Sequence, residues 1–210
     1  TLEKLATQSG LPITEFEAAV ANATNLGLPD YADGNPEGFL FPATYDFAPG
    51  TTAEQMIGAM IARFNAEAAA INLETRAKDM GRSVYEIVTV ASLLEVEGHP
   101  RDFAKVARVV YNRLAEPMPL QFDSSVNYGL GKTDVILTTE LLNKDTPDNV
   151  YLRSGLPPTP IDSPGAQALE AALNPAETNA FYFVAKGDNK THHFSKTLKE
   201  HNKAVKKYQR

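Results

Sequence analysis

Residues 83–115 constrain the fold more than any other stretch, because they spell two successive helices with start and stop signals in place. Ser83 and Glu86 have capping-box spacing. An apolar run follows as far as Glu97, and Gly98 with Pro100 just beyond it closes the segment. Phe103, Val106, Ala107, Val110 and Leu114 then repeat at i, i+3, i+4, i+7 and i+11, an amphipathic stripe that Pro117 and Pro119 end.

Weaker signals surround this pair. Residues 2–9 and 13–23 predict two short helices joined by Gly10–Leu11–Pro12, with Thr14 as an N-cap. The polar stretch from Leu28 to Pro36 reads as a linker. A strand-like aromatic run at 38–41 precedes a helix from Thr52 to about Ala69, with Met56, Ile57, Met60, Ile61 and Phe64 on one face. Residues 154–165 hold four prolines and two glycines, a stiff loop. A short helix over 167–173 leads to a β-hairpin, 181–185 with 191–194, split by Gly187–Asp188–Asn189. A final helix covers 196–208. Helices with a few short antiparallel strands make the chain α+β.

Composition narrows the chemistry. The 210 residues are 43% hydrophobic and 22% charged, which excludes a disordered chain. No cysteine is present, so disulfides, thiolate zinc sites and cysteine nucleophiles are excluded. A net charge of −6 argues against nucleic acid as the main partner. The acidic N-terminal helices make a DNA-binding helix–turn–helix a poor reading, since phosphate contacts need Lys or Arg. The lysine-rich 186–210 segment reads as a solvated helix face. No apolar run approaches the ~20 residues of a membrane span. The chain opens on Thr1 and reads as an excised segment, so a missing leader or anchor is uninformative about its parent.

One carboxylate stands out. At 100° per residue, Val84, Ile87, Val88, Ala91 and Leu94 share an arc, and Glu95 falls inside it while Glu97 falls outside and reads as solvated. A desolvated acid keeps its proton near neutral pH, as a general acid for a poor leaving group requires. The structural alternative is an ion pair from Glu95 to Arg108 or Arg113. The segment after the second helix, with Gln121, Asp123, Asn127 and Tyr128, mixes amides, an acid and aromatics, which suits sugars; an Asx-capped turn leading into a strand is the alternative. His192 and His193 point to opposite faces of a strand, and no H-E-x-x-H spacing, G-x-S-x-G elbow or phosphate loop occurs, so no metal or cofactor is expected.

Six runs together carry a resemblance: EGFLFPATY (37–45), ASLLEVEG (91–98), YNRL (111–114), MPLQFDSSVNYG (118–129), GLPPTPIDSPG (155–165) and HHFSKTLKEHNKAV (192–205). In this order they resemble the YceG-like, MltG-type endolytic murein transglycosylases. The sequence departs from that pattern at Ala43, at Ser124–Ser125 and at Val150. The resemblance implies a YceG-like catalytic domain over 31–210, preceded at 1–30 by the end of a LysM-like module. It implies that Glu95 is the catalytic acid and then the base on the muramic C6 hydroxyl, leaving 1,6-anhydro ends within peptidoglycan strands. Gln121, Asp123, Asn127 and Tyr128 are the implied glycan contacts, with Glu97 in support. It also implies cell-wall synthesis proteins as partners, and a location on the outer face of the bacterial cytoplasmic membrane with an anchor upstream of Thr1. A lysozyme-like hydrolase using Glu95, and a non-catalytic peptidoglycan-binding or division-scaffold domain, stay open as alternatives.

Overall fold

A computed structural model describes residues 2–133, 136–187 and 191–209. Helices α1 (Leu2–Ser9) and α2 (Ile13–Ala21) open the chain. Pro12 occupies the N-cap of α2, and Thr14 lies inside the helix rather than capping it. Helix α3 (Ala53–Ala70) begins at a full Thr52–Gln55 capping box, and all five predicted face residues are buried. Helix α4 (Leu73–Asp79) was not expected; it starts from Asn72, whose φ of 54° is left-handed. Helices α5 (Val84–Glu97) and α6 (Phe103–Leu114) stand where the spacing puts them, α5 with the Ser83–Glu86 box formed. Then come α7 (Asp123–Gly129), α8 (Thr139–Leu142), α9 (Ala166–Leu173), strands β1 (Tyr182–Ala185) and β2 (His192–Ser195), and α10 (Leu198–Tyr208). The strands pair antiparallel with Phe183 opposite Phe194, which bears out the hairpin; the Asp188–Asn189 part of its turn lies outside the described residues. The α+β assignment holds.

Helix α5 is the axis of the molecule. Val84 and every residue from Ile87 to Leu94 are buried, because α4, α6, α7 and α9 all pack on it. A helix apolar nearly all round is a core helix, not an amphipathic one. Two expectations fail for tertiary reasons. The 38–41 run forms no strand: Phe39, Leu40 and Phe41 are core residues, and Phe39 meets Phe64 edge-on at 5.0 Å. The polar 28–36 stretch is not an exposed tether, since Leu28 and Ala32 are buried with Phe16, Ala19 and Ala23 in the shared hydrophobic core. Among the described residues no helix is long and apolar enough to cross a membrane.

The proline loop lies against α5. The buried Ser92 hydroxyl accepts from the Ile161 N–H at 3.0 Å and donates to the Thr89 carbonyl at 2.8 Å. Opposite, Gly38 has φ 88°, and a Cβ there would sit 2.6 Å from Pro160 and 3.0 Å from Val88. Gly38→Ala therefore combines left-handed strain with overpacking, an expected loss of about 2–4 kcal/mol. Denaturant melts of the two chains measure it; an unchanged midpoint would mean the loop moves aside freely.

Candidate active site

The last turn of α5 carries two carboxylates that point into different surroundings. Glu95 is half-buried, and its Oε2 accepts from the Gly165 N–H at 3.1 Å. Gly165 is the final residue of the proline loop, so a stiff segment fixes one oxygen of this acid. Its other oxygen has no partner among the described residues. Pro42, from the 37–45 run, flanks the same spot. The ion-pair alternative fails, because both arginines are spent on carbonyls. Arg108 donates from Nε to Ala176 at 2.7 Å, and Arg113 donates from Nε to Phe181 at 2.7 Å and from Nη1 to Leu120.

Glu97 is not solvated. Its Oε1 accepts from the Ser124 N–H at 3.2 Å, at the start of α7, and burial pushes its carboxyl above the usual glutamate range, with the nearby Ser124 opposing. The helical-face reading missed this because α5 is enclosed on both sides of its last turn: the proline loop covers Glu95 and α7 covers Glu97. The sign of the linkage is definite. In the unfolded chain Glu97 ionises near 4.5, whereas the native group holds its proton to higher pH. Stability from this group is thus complete below that range and falls as pH rises through the raised native value. Glu97→Gln keeps the acceptor for Ser124 and removes the penalty. We expect it to be at least as stable as the parent at pH 7, with a flatter dependence between pH 4.5 and 7, read by urea unfolding.

The predicted sugar contacts gather on one side. They sit on α7 and the segment before it, where the structure has a helix instead of a turn leading into a strand. Asp123 accepts from the Tyr151 hydroxyl and lies close enough to Glu97 to raise its carboxyl. Gln121 is exposed, and its φ of 57° is left-handed, a strained conformation for a non-glycine residue. Its N–H donates to the Val150 carbonyl at 3.1 Å. Asn127 is half-buried on the same short helix. Tyr128 lies close to Glu37 and to Thr159 of the proline loop; burial and then Glu37 raise its phenol.

Sequence reasoning did not single out Glu37, Tyr151 or Asp162. Burial, and then Asp162, raise the Glu37 carboxyl. Burial pushes the Tyr151 phenol up as well, reinforced by its bond to Asp123. All three lie in or beside the runs that carry the resemblance, which is the one signal that could have found them. His192 is engaged structurally: its N–H donates to Asp102 Oδ2 at 2.8 Å, and its Nδ1 lies 3.2 Å from the same oxygen. No group of three His, Asp or Glu arranged to hold an ion occurs among the described residues.

Comparison with known proteins finds relatives that cover most of this chain. The endolytic murein transglycosylase of Bacillus subtilis strain 168 is 44% identical over 174 residues, covering 82% of this chain and 48% of that protein. The endolytic murein transglycosylase of Streptococcus pneumoniae serotype 2 is 35% identical over 178 residues, covering 80% and 31%. The chain thus spans about half, or less, of the length of these curated relatives. The crystal structure of a YceG-like protein from Listeria monocytogenes superposes with a TM-score of 0.77 at 35% identity, over 90% of this chain and 64% of that one. The model of the YceG-like family matches residues 1–207, and the chain belongs to that family.

Proposed function

We propose that this chain carries the catalytic domain of an endolytic lytic transglycosylase, cutting the β-1,4 bond between N-acetylmuramic acid and N-acetylglucosamine inside peptidoglycan strands. The observation that carries the reading is Glu95: a carboxylate on a rigid core helix, one oxygen anchored by Gly165 and the other left for a substrate. A glycosidic oxygen needs a proton as it leaves. Glu95 supplies that proton while positive charge builds on the sugar ring. The resulting carboxylate then takes the proton of the muramic C6 hydroxyl, which attacks C1 and closes the 1,6-anhydro ring. One residue serves both steps, so no second carboxylate at glycosidase separation is required. Gln121, Asp123, Asn127 and Tyr128 would contact the glycan, with Glu97 holding the start of α7 beside them.

The remaining readings rest on family membership. Residues 1–30 are read as the end of a LysM-like module and 31–210 as the catalytic domain. The site of action would be the outer face of the bacterial cytoplasmic membrane, with an anchor upstream and cell-wall synthesis proteins as partners.

Mass spectrometry of fragments released from purified peptidoglycan tests the reaction. New ends should carry the anhydro sugar, lighter by one water than hydrolysed ends. Reducing ends alone would make the protein a hydrolase, and no cleavage would leave a binding module.

A further inference from the structure

A cleft opens at Pro42, the residue that flanks the acid's anchor at Gly165. It has a volume of about 890 Å³ and lies between α1, residues 42–52 and the first turns of α3, within the ~300–1,000 Å³ of ordinary ligand sites. Tyr45 and Phe47 line it. Spaced two apart on irregular, extended chain, they present their rings to the same side. The rings lie parallel within 1°, with centroids 5.6 Å apart, and both residues are half-buried. The Tyr45 hydroxyl donates to the Phe41 carbonyl at 2.7 Å, which fixes that ring. Gln8 and Thr44 supply polar groups on the two walls.

We propose that this cleft binds a further stretch of the glycan strand, with Tyr45 and Phe47 as its stacking platform. The inference rests on the reading of the chain as a glycan-cleaving enzyme and extends its binding track. Flat rings flanked by amide and hydroxyl groups suit pyranose units, which offer apolar CH faces and a rim of hydroxyls. Continuity supplies the occupant. A point at Gly165 lies 3.8 Å from Pro42, which also lines the cleft, and 3.7 Å from the Glu95 carboxylate, so the two side chains are within 7.5 Å of each other. A strand cut in its interior continues past the acid on both sides, and this cleft takes one of the two directions.

The test uses the full 210-residue chain with Glu95→Gln, so that bound strands are not consumed. The probe is glycan strands stripped of their peptide stems, and the readout is retention in sedimentation. Adding Phe47→Leu should weaken retention of long strands roughly five- to tenfold, the change that one aromatic face supplies, with an unchanged melting temperature. Gln8→Ala, on the exposed opposite wall, should weaken it in the same direction and decides the matter should Phe47→Leu misfold. Full retention by well-folded variants overturns the proposal. An effect seen only when peptide stems are present also overturns it, and assigns the cleft to the stem. Anhydro products from the unsubstituted chain, alongside unaltered retention in the variants, would sink this inference alone. A chain that neither retains nor cleaves peptidoglycan would sink the transglycosylase reading with it.

Discussion

Glu95→Gln should lower turnover on peptidoglycan by at least ~10²–10⁴, the loss typical of a general acid, while the melting temperature stays nearly level. Glutamine fills the same space and its amide oxygen still accepts from the Gly165 N–H, so the contact between α5 and the proline loop survives. It cannot donate an acidic proton to a leaving oxygen. Because no arginine among the described residues pairs with Glu95, the substitution strands no buried cation. Stability and activity therefore separate in this variant, and both are measured on one preparation. An active Glu95→Gln chain would remove the residue from the mechanism. An inactive one without a melting transition would make it a structural residue. Glu97→Gln is the counterpart: it removes a desolvated acid, but that carboxyl is turned to α7 and held by Ser124. Should it prove dead while Glu95→Gln remains active, the two roles must be exchanged.

The largest effect on stability is expected at Arg113. This residue is buried, and its guanidinium bonds the carbonyls of Phe181, Leu120 and Pro119 while lying 5.2 Å from the Tyr182 ring. Burial lowers its proton affinity, and the structure answers the charge with carbonyl dipoles instead of a carboxylate. Arg113→Met leaves those carbonyls unpaired in the interior. An orphaned buried polar group costs ~1–3 kcal/mol, so the sum should reach about 3–5 kcal/mol and lower the melting temperature by on the order of 10 °C. The Leu120 carbonyl immediately precedes Gln121, so the sugar-side segment should loosen as well and activity should fall with stability. Arg113→Lys keeps the charge without the planar fork and should recover only part of the loss. A melting temperature within a degree or two of the parent would show that water replaces the guanidinium at little cost.

What the sequence disclosed was local, and what it hid was not. The Ser83–Glu86 box, the Met56–Phe64 apolar face and the Phe103–Leu114 stripe are settled by neighbours close along the chain, so α3, α5 and α6 could be read directly. Helix α7 could not. Its residues, Asp-Ser-Ser-Val-Asn-Tyr-Gly, have little helix propensity, and a long-range bond from Ser124 to Glu97 holds its first turn. The single-face picture of α5 picked out Glu95 and misjudged Glu97 for one reason: periodicity describes one element and says nothing of what packs on its far side. Glu37 and Glu95 illustrate the same limit, since their partners Tyr128, Asp162 and Gly165 lie far along the chain.

Four prolines in 154–165 leave eight amide protons in that loop, and two of them report on the site. The Ile161 amide is bonded to a fully buried hydroxyl, so its exchange with solvent deuterium requires the loop to lift from α5. Among the described residues, the Gly165 amide is held by the Glu95 carboxylate alone. A glycan that draws this carboxylate away would speed exchange at Gly165 and leave Ile161 slow. Loop opening would speed both. The protein thus carries a paired isotopic clock that separates engagement of the acid from movement of the segment that aims it.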